Sequence, residues 1–183
     1  MKVPFFRPSI TDDEVESVVS CLRSGWLTTG PRTKEFETAF ASYVGAKHAI
    51  AVNSCTAALH LALEAIGLTR GDLVLVPTMT FAATAEVVRY FDAVPVFVDC
   101  DAETLGIDVT ATETTLAALY AGRPVAGLKP PYGPIRAIIP MHYGGQMVDV
   151  DKLRSLAEKT GLAVIEDAAH ALPAFTRTSE NAP

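Results

Sequence analysis

Three short stretches carry side chains able to hold or process a small ligand. The first is Asn53-Ser54-Cys55-Thr56-Ala57-Ala58-Leu59, where an apolar run gives way to Ala- and Leu-rich sequence. The start of a helix leaves backbone N–H groups unpaired and carries partial positive charge, which suits a phosphate, and the Thr56 hydroxyl adds a donor. The same residues also suit a simpler purpose, with Ser54 capping the helix. Cys55 has no base beside it in sequence and reads as a small buried thiol.

The second stretch is Pro77-Thr78-Met79-Thr80-Phe81-Ala82-Ala83-Thr84. Phe81 is either an aromatic face for a flat heteroaromatic ligand or ordinary core, and Thr80 reads as a helix cap. The third, Val164-Ile165-Glu166-Asp167-Ala168-Ala169-His170-Ala171, sets Asp167 and His170 three residues apart. Either Asp167 caps the following turn with His170 satisfied nearby, or its carboxylate holds a cationic ring nitrogen. His142, Asp99 and Asp101 lack any recognised metal-ligand spacing, so no metal is expected.

Each stretch directly follows an apolar run, and this placement dictates the elements around it. Runs at 48–52, 73–76, 95–98, 137–141 and 163–165 predict strands, and the intervening sequence predicts helices near 56–67, 80–91, 111–121 and 150–160. Strand and helix in alternation imply an α/β fold, a three-layer α/β/α arrangement around a mostly parallel sheet. The near-continuous apolar runs fit strands buried on both faces. Ligands of such sheets bind beyond the carboxyl ends of the strands, where the three stretches fall. Upstream, Thr11-Asp12-Asp13-Glu14 has capping-box form, and Val15, Val18, Val19 and Leu22 follow at helical spacing up to Gly25. A second helix is predicted over 33–44, ending at Gly45. Residues 123–136, with four prolines, read as an irregular excursion.

Composition narrows the function classes. The chain has 183 residues, 49% hydrophobic and 20% charged, and its net charge of −6 with no basic cluster argues against a nucleic-acid partner. Cys21, Cys55 and Cys100 are widely spaced, without a CxxC pair, as in a reducing compartment. The N-terminus turns acidic before a signal-like apolar stretch develops, and no run of about 18 apolar residues occurs, so a cytoplasmic protein with no membrane partner is expected.

In combination these segments resemble the N-terminal half of the DegT/DnrJ/StrS family of sugar aminotransferases, enzymes that use pyridoxal phosphate on a fold-type-I scaffold. The resemblance runs from about Val3 to Phe175. It rests on Gly25-Trp26-Leu27-Thr28-Thr29-Gly30-Pro31 with Phe36-Glu37, on 53–63 and 77–81, and on Phe97-Val98-Asp99. The Pro140-Met141-His142-Tyr143-Gly144-Gly145 turn and Glu166-Asp167-Ala168-Ala169-His170-Ala171 complete it. It implies that Thr56 and the Ala57 N–H grip the cofactor phosphate, that Phe81 stacks on the pyridine ring, and that Asp167 pairs with the pyridine nitrogen. It also implies that His170 lies near the ring hydroxyl and that Thr28 and Thr29 lie close to the substrate.

The implied reaction moves an amino group from an amino acid, commonly glutamate or glutamine, to a keto group on a nucleotide-linked sugar, in a homodimeric enzyme. The family's Schiff-base lysine falls after the Glu-Asp motif. All six lysines here, Lys2, Lys34, Lys47, Lys129, Lys152 and Lys159, precede that motif, so no catalytic residue is assigned. Family members are about twice as long, and Pro173 stands where the family usually has Gly. The expectation is therefore an N-terminal part of the cofactor-binding large domain over 1–175 and a polar tail over 176–183, without the C-terminal small domain. Such a truncated, inactive form has two alternatives: a non-catalytic binding or regulatory partner of a full-length aminotransferase, or an unrelated α/β enzyme whose phosphate-binding helix serves a nucleotide or dinucleotide, against which the lack of any Gly-rich nucleotide motif argues.

Overall fold

Strand β1 (Leu73–Pro77) is buried along its whole length, as its unbroken apolar run requires. The computed structural model describes residues 3–4 and 6–176, so Lys2 and nearly all of the expected tail fall outside the described residues. Parallel neighbours flank β1: β2 (Val94–Val98) on one side and β3 (Ile135–Ile138) on the other, with β4 (Ala163–Val164) beyond β3. Successive parallel strands need crossovers. These are supplied by α4 (Ala82–Arg89), α5 (Val109–Tyr120) and α6 (Val150–Thr160), while α3 (Cys55–Ala65) precedes β1.

Strand side chains alternate between faces, and each face meets its own helices. Leu73, Leu75, Val96 and Ile138 pack with Leu116 and Leu119 of α5 and with Leu153 and Leu156 of α6. Val74, Val76, Ala137 and Ile139 pack instead with Leu59 and Leu63 of α3 and with Val87 and Val88 of α4. The expected three-layer α/β/α arrangement is thus the observed one. Side-chain caps start the helices where the sequence places them: Ser54, Asp108 and Asp149 accept from Ala57, Ala111 and Lys152 N–H groups.

The chain divides into two compact units, one ending at Val52 and one starting at Asn53. The first holds α1 (Asp12–Ser24), capped by Thr11 and Glu14 and ended by Gly25 at φ 72°, and α2 (Pro31–Val44). Helix α2 begins two residues earlier than its pattern suggests because proline is favoured in a first turn, where its missing N–H costs nothing. No helix among the described residues is long and apolar enough to cross a membrane.

Two strand expectations are corrected. Residues 48–52 pair with no strand among the described residues; Ile50 is exposed, and the Ala51 N–H donates to Glu37 Oε1 at 3.0 Å. An apolar run can suggest a strand, but the ladder belongs to a neighbour that the run itself does not specify. The run at 137–141 stops as a regular strand at Ile138. Pro140 has no N–H to offer, so pairing continues past it only as single bonds. The excursion expected over 123–136 is irregular only as far as Pro134, because Ile135 and Arg136 already pair in β3, and Tyr132 ties it down by donating to Arg123 O at 2.9 Å and accepting from Val125 N at 3.2 Å.

Leu75→Ala, at a fully buried position of the central strand, is expected to lower stability by about 2–5 kcal/mol. Ser155→Ala, on the exposed side of α6, should stay within about 0.5 kcal/mol of the parent. Urea unfolding followed by circular dichroism distinguishes the two.

Candidate functional site

From β1 the chain runs outward to β2 on one side and then returns to β3 on the other, so the strand order reverses between β1 and β3. Helices diverge at such a point and leave a crevice at the strands' carboxyl ends. A cavity of about 450 Å³ opens there. Cys55, Thr56 and Leu59 line it from the start of α3, and Met79, Thr80, Phe81 and Ala83 from the turn into α4. Met141, Tyr143, Asp167, Ala169 and His170 line it from the segments after β3 and β4. All three stretches singled out in the sequence converge on this cavity.

Asp167 is its buried floor, only 4% exposed. Its Oδ2 accepts from Thr84 Oγ1 at 2.7 Å, and its Oδ1 accepts longer bonds from Ala169 N at 3.3 Å and Cys55 Sγ at 3.5 Å. Among the described residues it has no ion-pair partner. A buried carboxylate costs several kcal/mol, of order, unless paired or hydrogen-bonded, and this one is held by neutral donors alone. Cys55, expected to be buried, is an exposed residue whose sulfur turns toward Asp167. Partial burial of the sulfur first, then the carboxylate's charge and hydrogen bond, push the thiol up to about 11.

At the α3 start, Ser54 Oγ accepts from the Ala57 N–H at 3.1 Å, and the first helical bond, Ala58 N to Ser54 O, spans 3.0 Å. The Ser54 cap therefore uses the same Ala57 N–H that the expected phosphate grip would need. Those of Cys55 and Thr56 have no intrahelical acceptor. Phe81 is the residue before α4 and is 75% exposed at the mouth of the cavity. His170 accepts from Gly144 N at its Nδ1 (3.3 Å) and meets the Tyr143 ring edge-on at 6.3 Å. Gly145 lets the turn approach this closely: its φ is +85°, and a Cβ there would stand 2.9 Å from His170 O.

Thr28 and Thr29 belong to the first unit. Thr28 lines a separate hollow of about 380 Å³ with Trp26, Gly30 and Arg32, and Trp26 Nε1 donates to Thr29 O at 3.0 Å. A Cβ on Gly30 would strike that indole, which explains the glycine.

The residues that sequence reasoning missed are Thr84, Glu166 and His142 in its actual role. His142 is fully buried; its Nε2 lies 2.9 Å from Glu166 Oε2, and its Nδ1 accepts from Val148 N at 3.4 Å. The accepting Nδ1 places the ring proton on Nε2, which donates to Glu166. Thr84 had one signal available, its i+4 spacing from Thr80 across the turn into α4. Among the described residues no three His, Cys, Asp or Glu side chains gather as metal donors.

This donor set suits a flat, phosphorylated ligand with a protonated ring nitrogen: unpaired helix N–H groups and a hydroxyl for the phosphate, an exposed ring for stacking, a buried anion lacking a cation. Pyridoxal phosphate has those three features.

Residues 8–179 match the DegT/DnrJ/EryC1/StrS aminotransferase family. The chain is 44% identical over 170 residues to the spore coat polysaccharide biosynthesis protein SpsC of Bacillus subtilis, which covers 93% of this chain and 40% of SpsC. A DegT/DnrJ/EryC1/StrS aminotransferase from Brucella abortus superposes with a TM-score of 0.77 at 35% identity, over 86% of this chain and 40% of that one. The ntda protein of Bacillus subtilis, solved with bound cofactor PMP, superposes with a TM-score of 0.76 at 32% identity, over 94% of this chain and 37% of its own. The chain thus spans about 40% of the length of the curated relative it matches.

The His142 bond holds the Glu166 carboxyl below its ordinary value of 4.5, against partial burial, with attraction to His142 and Arg154 helping. A carboxyl lowered in the folded state adds stability above the unfolded value and loses it as pH falls through the folded one. Acid unfolding followed from about pH 6 to pH 3 should therefore show a steeper loss in the parent than in Glu166→Gln. Parallel acid limbs would mean that this pair adds nothing.

Proposed function

The chain belongs to the DegT/DnrJ/EryC1/StrS aminotransferase family, whose cofactor is pyridoxal phosphate, and we propose that it supplies one part of the cofactor site of a sugar aminotransferase. The observation that carries this reading is Asp167, a buried carboxylate with no cation partner among the described residues, on the floor of a cavity that the start of α3 and Phe81 also line. Residues 1–175 are the N-terminal part of the large domain in this proposal.

Each residue then has a task. Thr56 gives its hydroxyl and N–H to the phosphate, and Ala57 turns its N–H to it in place of Ser54. Phe81 covers one ring face. Asp167 holds a proton at the ring nitrogen, and His170 stands beside the ring hydroxyl. When bound, pyridoxal phosphate supplies an electron sink for the charge left on a substrate carbon as the amino group moves. Thr28 and Thr29 contribute on the substrate side. The whole protein's reaction is transfer of an amino group from glutamate or glutamine to a keto group of a nucleotide-linked sugar. The role in polysaccharide biosynthesis named for SpsC supports this substrate class. A cytoplasmic homodimer is part of the proposal, supported by the exposed apolar face of α1 formed by Val15, Val18 and Leu22.

Among the described residues no lysine lines the cavity, so this chain alone holds the cofactor without covalent attachment and does not transaminate. Magnitudes fix how tightly. A hydrogen bond to a charged partner contributes about 1.5–3 kcal/mol. A helix N-terminus adds about 0.3–1 kcal/mol and a stacked ring about 0.5–1.5 kcal/mol. Together these contributions scarcely offset the cost of association, so binding is weak, with a dissociation constant of order 1 mM or higher. Absorbance titration with pyridoxal phosphate should give that range, and Asp167→Asn should weaken it about ten-fold or more. Borohydride reduction and mass analysis should find no stoichiometric lysine adduct; such an adduct on one lysine would overturn the non-covalent reading.

A further inference from the structure

Thr84 is fully buried and does not line the cavity, yet its hydroxyl makes the shortest bond that Asp167 receives, 2.7 Å to Oδ2. Four other helical threonines, Thr38, Thr112, Thr114 and Thr160, donate to the carbonyl four residues back, the ordinary use of such a hydroxyl. Thr84 donates across the fold, to a residue 83 positions away. Its oxygen also lies 2.6 Å from Thr80 Oγ1. Because an ionised carboxylate only accepts, the Thr84 proton is committed to Asp167, and Thr80 must be the donor in the Thr80–Thr84 bond. The chain of donation therefore runs one way, from Thr80 through Thr84 to Asp167.

The two oxygens of Asp167 are thereby made unequal. Oδ2 is held from the α4 side, while Oδ1 has only the longer bonds from Cys55 and Ala169, both of which line the cavity. Oδ1 is the oxygen left for a ligand. We infer that Thr84, relayed from Thr80, is a positioning residue that orients Asp167 so that Oδ1 faces a protonated ring nitrogen. The inference rests on the assignment of Asp167 to the cofactor nitrogen.

The test uses two non-covalent probes, 4′-deoxypyridoxine phosphate and its carbocyclic analogue with CH in place of the ring nitrogen, titrated by calorimetry against the full chain. The parent should prefer the nitrogen-containing probe. Thr84→Val should reduce affinity for that probe about ten-fold while changing affinity for the carbocycle less than about two-fold, and Thr84→Ser should restore the preference. Equal losses on both probes, or no loss on either, would overturn the inference, since a merely structural threonine does not distinguish the two rings. If Thr84→Val does not fold, Thr80→Val decides in its place: a reduced preference supports the relay and an unchanged one rejects it. If the parent, like Asp167→Asn, shows no preference for the nitrogen-containing probe, the assignment of Asp167 itself fails and the role of Thr84 falls with it.

Discussion

Asp167 N donates to Pro140 O at 2.8 Å, Asp167 O accepts from His142 N at 3.1 Å, and these two bonds carry the β3–β4 pairing past the last regular ladder residues. Everything at the cavity depends on them. They fix the backbone of the cavity's buried acid against the centre of the sheet, through β3 to β1, where Ile139 N reaches Leu75 O at 2.8 Å. Parallel strands that end at one edge deliver their following residues to one place. Here they deliver Met141, Tyr143 and Asp167 opposite Met79 to Phe81. No loop has to be long to build the site, because the sheet does the positioning.

The extended backbone at this point also explains how two adjacent acids come to live in different environments. Successive side chains of an extended segment point to opposite sides. Glu166 therefore meets the buried His142 ring, and Asp167 meets Thr84 and the cavity. One carboxylate is spent on a structural clasp that braces the turn after β3. The other is held by neutral donors that satisfy it without neutralising it.

Much of this was legible in sequence where the signal was local. Apolar runs found four of the strands and the layers they form, because a buried parallel strand needs apolar residues on both faces. The capping box at Thr11 and the cap at Ser54 marked the starts of α1 and α3, whereas α4 begins after Phe81 without the cap expected from Thr80; the rule that ligands gather beyond strand ends placed Thr56, Phe81, Asp167 and His170 at one cavity. What failed was non-local. The run 48–52 has strand composition but no strand neighbour, and Cys55 and Thr84 acquired their roles from Asp167, which lies 112 and 83 residues away. A threonine in a helix carries no mark of which way its hydroxyl turns. Only the packing of α4 against the sheet decides that.

Cys55 shows how proximity can mislead in the opposite direction. Read in sequence it had no base beside it; in the fold it has a carboxylate at 3.5 Å, as an activated nucleophile would. An activated thiol needs a neighbour that favours its anion, such as a cation or a histidine that takes the proton and stays close as a cation. Asp167 does the reverse, since its charge and the hydrogen bond it accepts add to partial burial in pushing the thiol up to about 11. At neutral pH the sulfur keeps its proton and remains a weak donor to Oδ1. The thiol therefore belongs to the same device as Thr84: a neutral group whose hydrogen satisfies the buried carboxylate while leaving its charge for a ligand.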